Sequence, residues 1–459
     1  MATGPPEPQL SVLMSDLPRQ IRMAAGDYFM HGQDHRMRQF GLPGNLCCAV
    51  FKLDRGFDPD RLRRRIAESP MVDWLARARV VRRLPLLPPV WQAANEPKAV
   101  FYEHPDQNGV PETPCSLPKA VAQRELRAEC GPGLTFDVVR HADGTSHLYL
   151  SWNHTLLDAR GLDFLLSHLN ADGAANGAPG VQDFVSPRQT ARSGGIAGWW
   201  SNAKRAHGSL KWLHESGKEP LFSLVPPGTR SGPCINHRRL LSFTEGETAR
   251  IDTRSQQLTA GFRRSHFFLA ASIRALHAIA RGRGNRDGAY LVPVPHDTRR
   301  HGAKGPIFSN HLSILFYRIE PRLAGRIGDI IAELSRQMTE QIRDRFPECC
   351  MAALEMFKPL PLGSYVRRLG KPTRGKVASL SFSDSGEICP GMTELCGGRI
   401  LDVTHLIPCW RWPGLTVLFL RFGNRLTAEL SWVDDCLTAA EVDGLERDMR
   451  RALLEEVLS

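Results

Sequence analysis

The stretch from Leu134 to Leu169 constrains this chain most, because three local signals follow one another almost without interruption. Leu134 to Arg140 reads as a strand and His141-Ala-Asp-Gly144 carries Asp-Gly turn chemistry. Leu148, Leu150 and Trp152 then alternate with His147, Tyr149 and Ser151, the period of a half-buried return strand. Leu162, Leu165, Leu166 and Leu169 recur at helical spacing. Between strand and helix lies Ser151-Trp-Asn-His-Thr-Leu-Leu-Asp-Ala-Arg-Gly161. This puts His154 at the mouth of the strand and Asp158 in the loop or first turn that enters the helix. Such junctions hold a side chain rigidly while leaving it accessible, which is what catalysis needs.

The chemistry of the pair can be argued from residue type. A hydroxyl or amine must lose a proton as it forms a bond by nucleophilic attack, and a neutral imidazole suits that task at cellular pH. His154 is therefore the candidate general base. A carboxylate four residues on is costly in a poorly solvated interior unless it is paired, so Asp158 is expected to have an arginine.

H-x-x-x-D after such a strand and before such a helix resembles the condensation and acyltransferase superfamily. That group includes chloramphenicol acetyltransferase, the condensation domains of peptide synthetases, wax ester synthases and plant HxxxD acyltransferases. Its fuller signature is HHxxxDG; here Asn153 replaces the first histidine and Ala159 the glycine, with Gly161 following. The resemblance continues in order along the chain. Phe57 to Ile66 looks like the family's opening helix, after the apolar run Leu46 to Leu53. Tyr290 to Arg299 is similar to its strand ending in arginine, Ile307-Phe-Ser-Asn310 to the segment after it, and Leu312 to Ile319 to the next strand. Val377 to Ser383, with Ser381-Phe-Ser383-Asp-Ser-Gly386, resembles the strand bordering the active-site tunnel. Leu415 to Phe422, a Gly423-Asn424 turn, Leu426 to Val433 and a helix from Thr438 to Val457 complete the series.

The resemblance implies an α/β fold of two chloramphenicol acetyltransferase-like lobes, each a mixed sheet with flanking helices, and a tunnel between them. It implies an N-terminal lobe over 1–182, a connecting region over 183–234 and a C-terminal lobe over 235–459. It makes Asp158 structural and paired with Arg299, with Arg300 as the near alternative. Acyl transfer would be direct, from acyl-CoA or a phosphopantetheine-linked acyl group on a carrier protein to a hydroxyl or amine. Neither an acyl-enzyme nor a bound cofactor is implied. Ser383 or Ser381 would donate to the oxyanion, Asn310 would fix a strand end, and Asn153, Ala159 and Gly161 would border the tunnel, where the Ala159 methyl narrows it. The departures at Asn153 and Ala159 motivate an alternative, a catalytically silent condensation-like domain that binds a lipid or a carrier protein.

Composition sets outer limits. At 459 residues the chain suggests two domains, with 42% hydrophobic and 23% charged residues as in ordinary globular proteins. No apolar run approaches the roughly 20 residues of a membrane span, and Met1 to Gln9 lacks a secretory pattern. Eleven cysteines, with adjacent pairs at Cys47-Cys48 and Cys349-Cys350, do not form a disulfide framework and favour a reducing cytoplasm. The net charge of +11 suits an anionic thioester. Scattered arginines, without zinc-ligand spacing or interleaved basic and aromatic strands, argue against nucleic acid.

The remaining signals are weaker. His31 and His35 stand at i, i+4, but no third ligand can be assigned and no metal is expected. Gly282 to Gly288 follows a helical pattern (Phe267 to Ala280) and reads as a loop. Ile196 to His214 is amphipathic, with Trp199 and Trp200 beside Lys204 and Arg205. Packing of those tryptophans on the protein itself is the expectation, peripheral membrane contact the alternative. Pro85 to Pro118 reads as an irregular surface stretch, and a monomer is expected.

Overall fold

The structure, a computed structural model, describes residues 17–105, 116–171, 181–190, 195–225, 232–261, 264–371, 373 and 378–455. Met1 to Gln9, Pro111, Pro114, Val377 and Val457, which carry sequence expectations, lie outside the described residues. Leu134–Arg140 and Ser146–Asn153 form the expected antiparallel hairpin, closed by Gly144 at φ +84°. The return strand is not half-buried, since all eight of its residues are buried. It lies inside a six-stranded sheet covered on both faces. Leu148, Leu150 and Trp152 enter the main core, while Tyr149 packs with Val50, Val121, Val139 and Leu406 on the other side.

Leu46–Leu53 pairs antiparallel with Ser146–Asn153 on one edge and with Gly398–Leu406 on the other. The downstream strands Glu394–Leu395 and Gly398–Leu406 thus return to the N-terminal sheet. Boundaries near 182 and 235 follow chain order but miss this return crossing at 394–406. The second lobe is built on a four-stranded sheet ordered Ser381–Glu387, Leu415–Phe422, Arg425–Val433, Asn236–Ser242, its first pair parallel and the others antiparallel. Helices Arg264–Gly282 and Ala439–Leu454 share its hydrophobic core. The pair Tyr290–Asp297 and Leu312–Ile319 stands beside it, and its long connection, 298–311, reaches into the first lobe.

Local sequence accounts for the ends that matter. Asp58 caps helix Pro59–Glu68 through the amides of Asp60 and Arg61. Thr438 and Glu441 form a capping box on Ala439–Leu454. The tunnel-wall strand starts at Ser381, later than expected, because Ser379 is bonded instead to Leu291 through its amide and hydroxyl. Helix Gly195–Ser216 forms as expected, but the expected packing of Trp199 and Trp200 on the protein itself is not what the structure has. Trp212 packs on Phe316 and Phe346, whereas Trp199 and Trp200 are exposed and contact each other at 5.1 Å. Among the described residues no helix is long and apolar enough to cross a membrane.

Candidate active site

A cavity of about 410 Å³ lies between the lobes, and His154, Asp158 and Ala159 line it together with Arg299, His311, Ser381 and Ser383. Helix residues Phe29, Met30, Leu213 and Phe357 make part of its wall apolar; Trp152, Trp410 and Trp412 make another part aromatic. A separate hollow of about 480 Å³ beside Leu17, Asp73 and Arg77 contains none of the motif residues.

His154 follows the last residue of the motif strand, its amide bonded to the Asn45 carbonyl at 2.8 Å. Its Nδ1 lies 3.0 Å from Asn310 Oδ1. The orientation of that amide is fixed by the other end. Asn310 Nδ2 faces three acceptors, the carbonyls of His154 (2.9 Å) and Thr155 (3.2 Å) and Asp27 Oδ1 (3.1 Å), which only an NH2 group satisfies. Asn310 Oδ1 therefore accepts, and Nδ1 of His154 carries the proton. This tautomer leaves Nε2 with a lone pair, the state a general base needs.

Asp158 is the N-cap of helix Ala159–Asn170 and accepts from the Gly161 amide at 2.8 Å. Arg299 approaches it with both terminal nitrogens, Nη1 to Oδ2 at 2.9 Å and Nη2 to Oδ1 at 3.0 Å, and the His311 amide adds a bond of 2.9 Å. Burial pushes the carboxyl up, but Arg299 and these bonds outweigh it and hold Asp158 below its ordinary value. Arg299 stands two residues beyond the strand end at Asp297, and its Nε and Nη2 also donate to the Pro306 carbonyl. Arg300 is exposed.

Two expected tunnel residues lie elsewhere. Asn153 is fully buried, donating to Asp34 Oδ1 and the Leu126 carbonyl and accepting from the Thr155 amide. It braces the motif loop from behind. Gly161 is a contact glycine, since a Cβ there would fall 2.2 Å from the Ile307 carbonyl oxygen of the C-terminal lobe. His31 is buried near Glu129 and His35 bonds Gln39, so the two do not converge on a common ligand.

Sequence reasoning missed Asp27, His311 and His405. His311 and His405 line the cavity; burial lowers both, His405 to about 4, so both are neutral near pH 7. Asp27 lies behind Asn310, and burial pushes its carboxyl up against the lowering effect of Ser309, Asn310 and Trp91. No local pattern marks it beyond an acid in the first turn of a helix.

Neither a family model nor a curated protein sequence matches the chain. Solved structures do. Trichothecene 15-O-acetyltransferase from Fusarium sporotrichioides superposes with a TM-score of 0.68 at 12% identity, over 95% of this chain and 96% of that one. The starter condensation domain of rhizomide synthetase, in a mutant complexed with C8-CoA, gives 0.63 at 15% identity over 96% and 94%. The first condensation domain of the CDA synthetase gives 0.61 at 13% over 95% and 96%. The fold is that of the condensation and chloramphenicol acetyltransferase-like acyltransferases. At such low identity the likeness shows the fold alone, and the site must be argued from its own residues.

Proposed function

We propose that the protein transfers an acyl group from a thioester, acyl-CoA or acyl-carrier protein, to a hydroxyl or amine, with His154 as general base. The observation that carries this reading is the Asn310 contact, which fixes the Nδ1–H tautomer of a histidine lining the cavity. Nε2 takes the proton of the acceptor as its oxygen or nitrogen bonds the thioester carbon. The tetrahedral oxyanion collapses, the carbon–sulfur bond breaks, and the imidazolium returns the proton to the leaving thiolate. No acyl-enzyme is needed. Ser383, on the wall strand that lines the cavity, is the proposed oxyanion donor. Asp158 and Arg299 hold the motif loop in place and take no part in proton transfer.

The apolar and aromatic parts of the wall favour a largely hydrophobic acyl group or acceptor. We infer a reducing, cytoplasmic setting from the cysteine pattern of the sequence, an odd count with adjacent pairs. The departure at Asn153 supplies no argument for a silent domain, because its amide is engaged in the interior.

The test is purified protein incubated with a panel of acyl-CoA and acyl-carrier donors and a cell extract, with products read by mass spectrometry. His154→Ala should keep the fold and lower turnover by roughly two to four orders of magnitude. Wild-type turnover in that variant overturns the base assignment. Failure of every donor to react in the intact protein favours the silent lipid- or carrier-binding alternative.

A further inference from the structure

Asp27 stands at the third position of helix Ala25–Gln39, fully buried. An acid there ordinarily caps its own helix, and the Ala24 amide at 3.1 Å from Oδ2 is that bond. Capping explains none of the others. Ser309 Oγ lies 2.7 Å from each carboxylate oxygen, the Asn310 amide 2.7 Å and Asn310 Nδ2 3.1 Å from Oδ1, and Trp91 Nε1 3.1 Å from Oδ2. The carboxylate is ringed by uncharged donors, and most belong to the C-terminal lobe's segment 309–310.

The backbone on both sides is shaped for this meeting. Ser309 is held at φ +83°, a left-handed conformation that a non-glycine residue adopts only when its surroundings enforce it. Its amide bonds the Leu156 carbonyl of the motif loop, and its hydroxyl is clamped by Asp27. Next to Asp27, a Cβ on Gly26 would stand 2.7 Å from the Asn310 carbonyl oxygen, so the helix start admits the loop only because residue 26 has no side chain. Asn310, fixed at its main chain and its NH2, presents Oδ1 to His154 Nδ1.

We propose that Asp27 is a positioning residue of this site, acting through Asn310 to fix the ring orientation and tautomer of His154. The proposal rests on the acyl-transfer reading for its kinetic consequence, whereas its structural consequence is independent of substrate. An asparagine at position 27 brings an NH2 group among donors, releases segment 309–310, and leaves His154 as a mixture of tautomers, of which only the Nδ1–H form can act as base through Nε2.

The experiment uses the full-length protein carrying ¹⁵N-labelled histidine, with the His154 ring signals assigned by comparison with His154→Ala. Wild type should show one tautomer, protonated at Nδ1 and bare at Nε2. Asp27→Asn should show tautomer averaging, with kcat lowered by about 10- to 100-fold and KM within about threefold. Asn310→Ala, which cuts the chain of contacts in the middle and leaves Asp27 bonded to Ser309, Trp91 and Ala24, should give the same spectrum and loss. The Asp27→Asn, Asn310→Ala double variant should lose little more. Should Asp27→Asn fail to fold, Asn310→Ala decides alone, and an unaltered His154 spectrum in it overturns the proposal. An unaltered spectrum and kcat in a folded Asp27→Asn variant overturns it too. The predicted spectra without turnover from any acyl thioester would leave the positioning role standing and remove the acyl-transfer reading instead.

Discussion

Two carboxylates five residues apart, Asp158 at the cap of the motif helix and Asp163 within it, are half-buried and buried respectively and both line the cavity, yet their charges are pushed in opposite directions. Asp158 meets a guanidinium through two nitrogens and two backbone amides, and is held below its ordinary value despite burial. Asp163 meets Arg160 through one nitrogen at 3.1 Å, and the amide (3.1 Å) and weak thiol donor (3.4 Å) of Cys389; burial raises it to about 6. Arg160 is about a third exposed, whereas Arg299 is almost wholly buried. Burial is common to both; the number and geometry of donors decides the sign.

The pair at Asp158 should show the largest effect. Asp158→Ala leaves the buried Arg299 with only the Pro306 carbonyl and one 3.3 Å contact to the exposed Asp297 carboxylate, which should cost up to about 3–5 kcal/mol and lower the melting temperature. Arg299→Ala should be similar, and the double variant less destabilised than the sum. Because the folded-state value of Asp158 is depressed, its contribution is present above the unfolded value near 3.9 and is lost as pH falls through the folded value. Strict additivity in thermal or urea melts would dissolve the pair as an energetic unit.

Asp163 should behave in the opposite sense. A carboxyl raised in the folded state favours the unfolded chain once that chain ionises, so stability falls as pH rises from about 4 to 6 and stays lowered above. A rise from 3.8 to about 6 corresponds to about 3 kcal/mol at most. Asp163→Asn keeps an acceptor for the Cys389 amide and removes this penalty. Its stability relative to wild type should therefore improve across that window and hold at pH 7.5. A difference that stays constant from pH 4 to 7.5 would show that Asp163 is not raised, and the contrast with Asp158 would fail.

The same contrast separates what the sequence could disclose from what it could not. The hairpin, His154, Asp158 and the ends of Leu312–Ile319 were legible because each depends on local periodicity or turn chemistry. Arg299 was reached through a resemblance that spans 141 residues of separation. Asn310 was placed only as a strand-end residue, and Asp27 was not seen, because their meaning lies in a loop from one lobe closing on a helix start in the other. The return of Gly398–Leu406 to the first sheet was hidden for the same reason: strand pairing over such distances leaves no local periodic mark. The burial of both faces of Ser146–Asn153 was also missed, since Tyr149 reads as solvent-facing until a second cluster is seen to cover it.

Ala159, between the two carboxylates on the chain, gives the smallest expected effect and tests whether this end of the helix borders substrate. It occupies the first helical position after Asp158 and lines the cavity, so Ala159→Gly alters the wall by one methyl group. Gly in a helix interior costs about 0.5–1 kcal/mol, and the first position, anchored by the Asp158 cap, should lie at or below the low end. Removing the methyl should therefore leave the melting temperature nearly unchanged while altering the ratio of kcat/KM between bulky and slim acyl donors or acceptors, by up to about tenfold in favour of the bulky ones. Equal changes for all substrates would mean that residue 159 acts through the motif loop. A stability loss as large as that of Asp158→Ala would mean that the methyl supports the Asp158–Arg299 pair, leaving no separate substrate-facing position at this end of the helix.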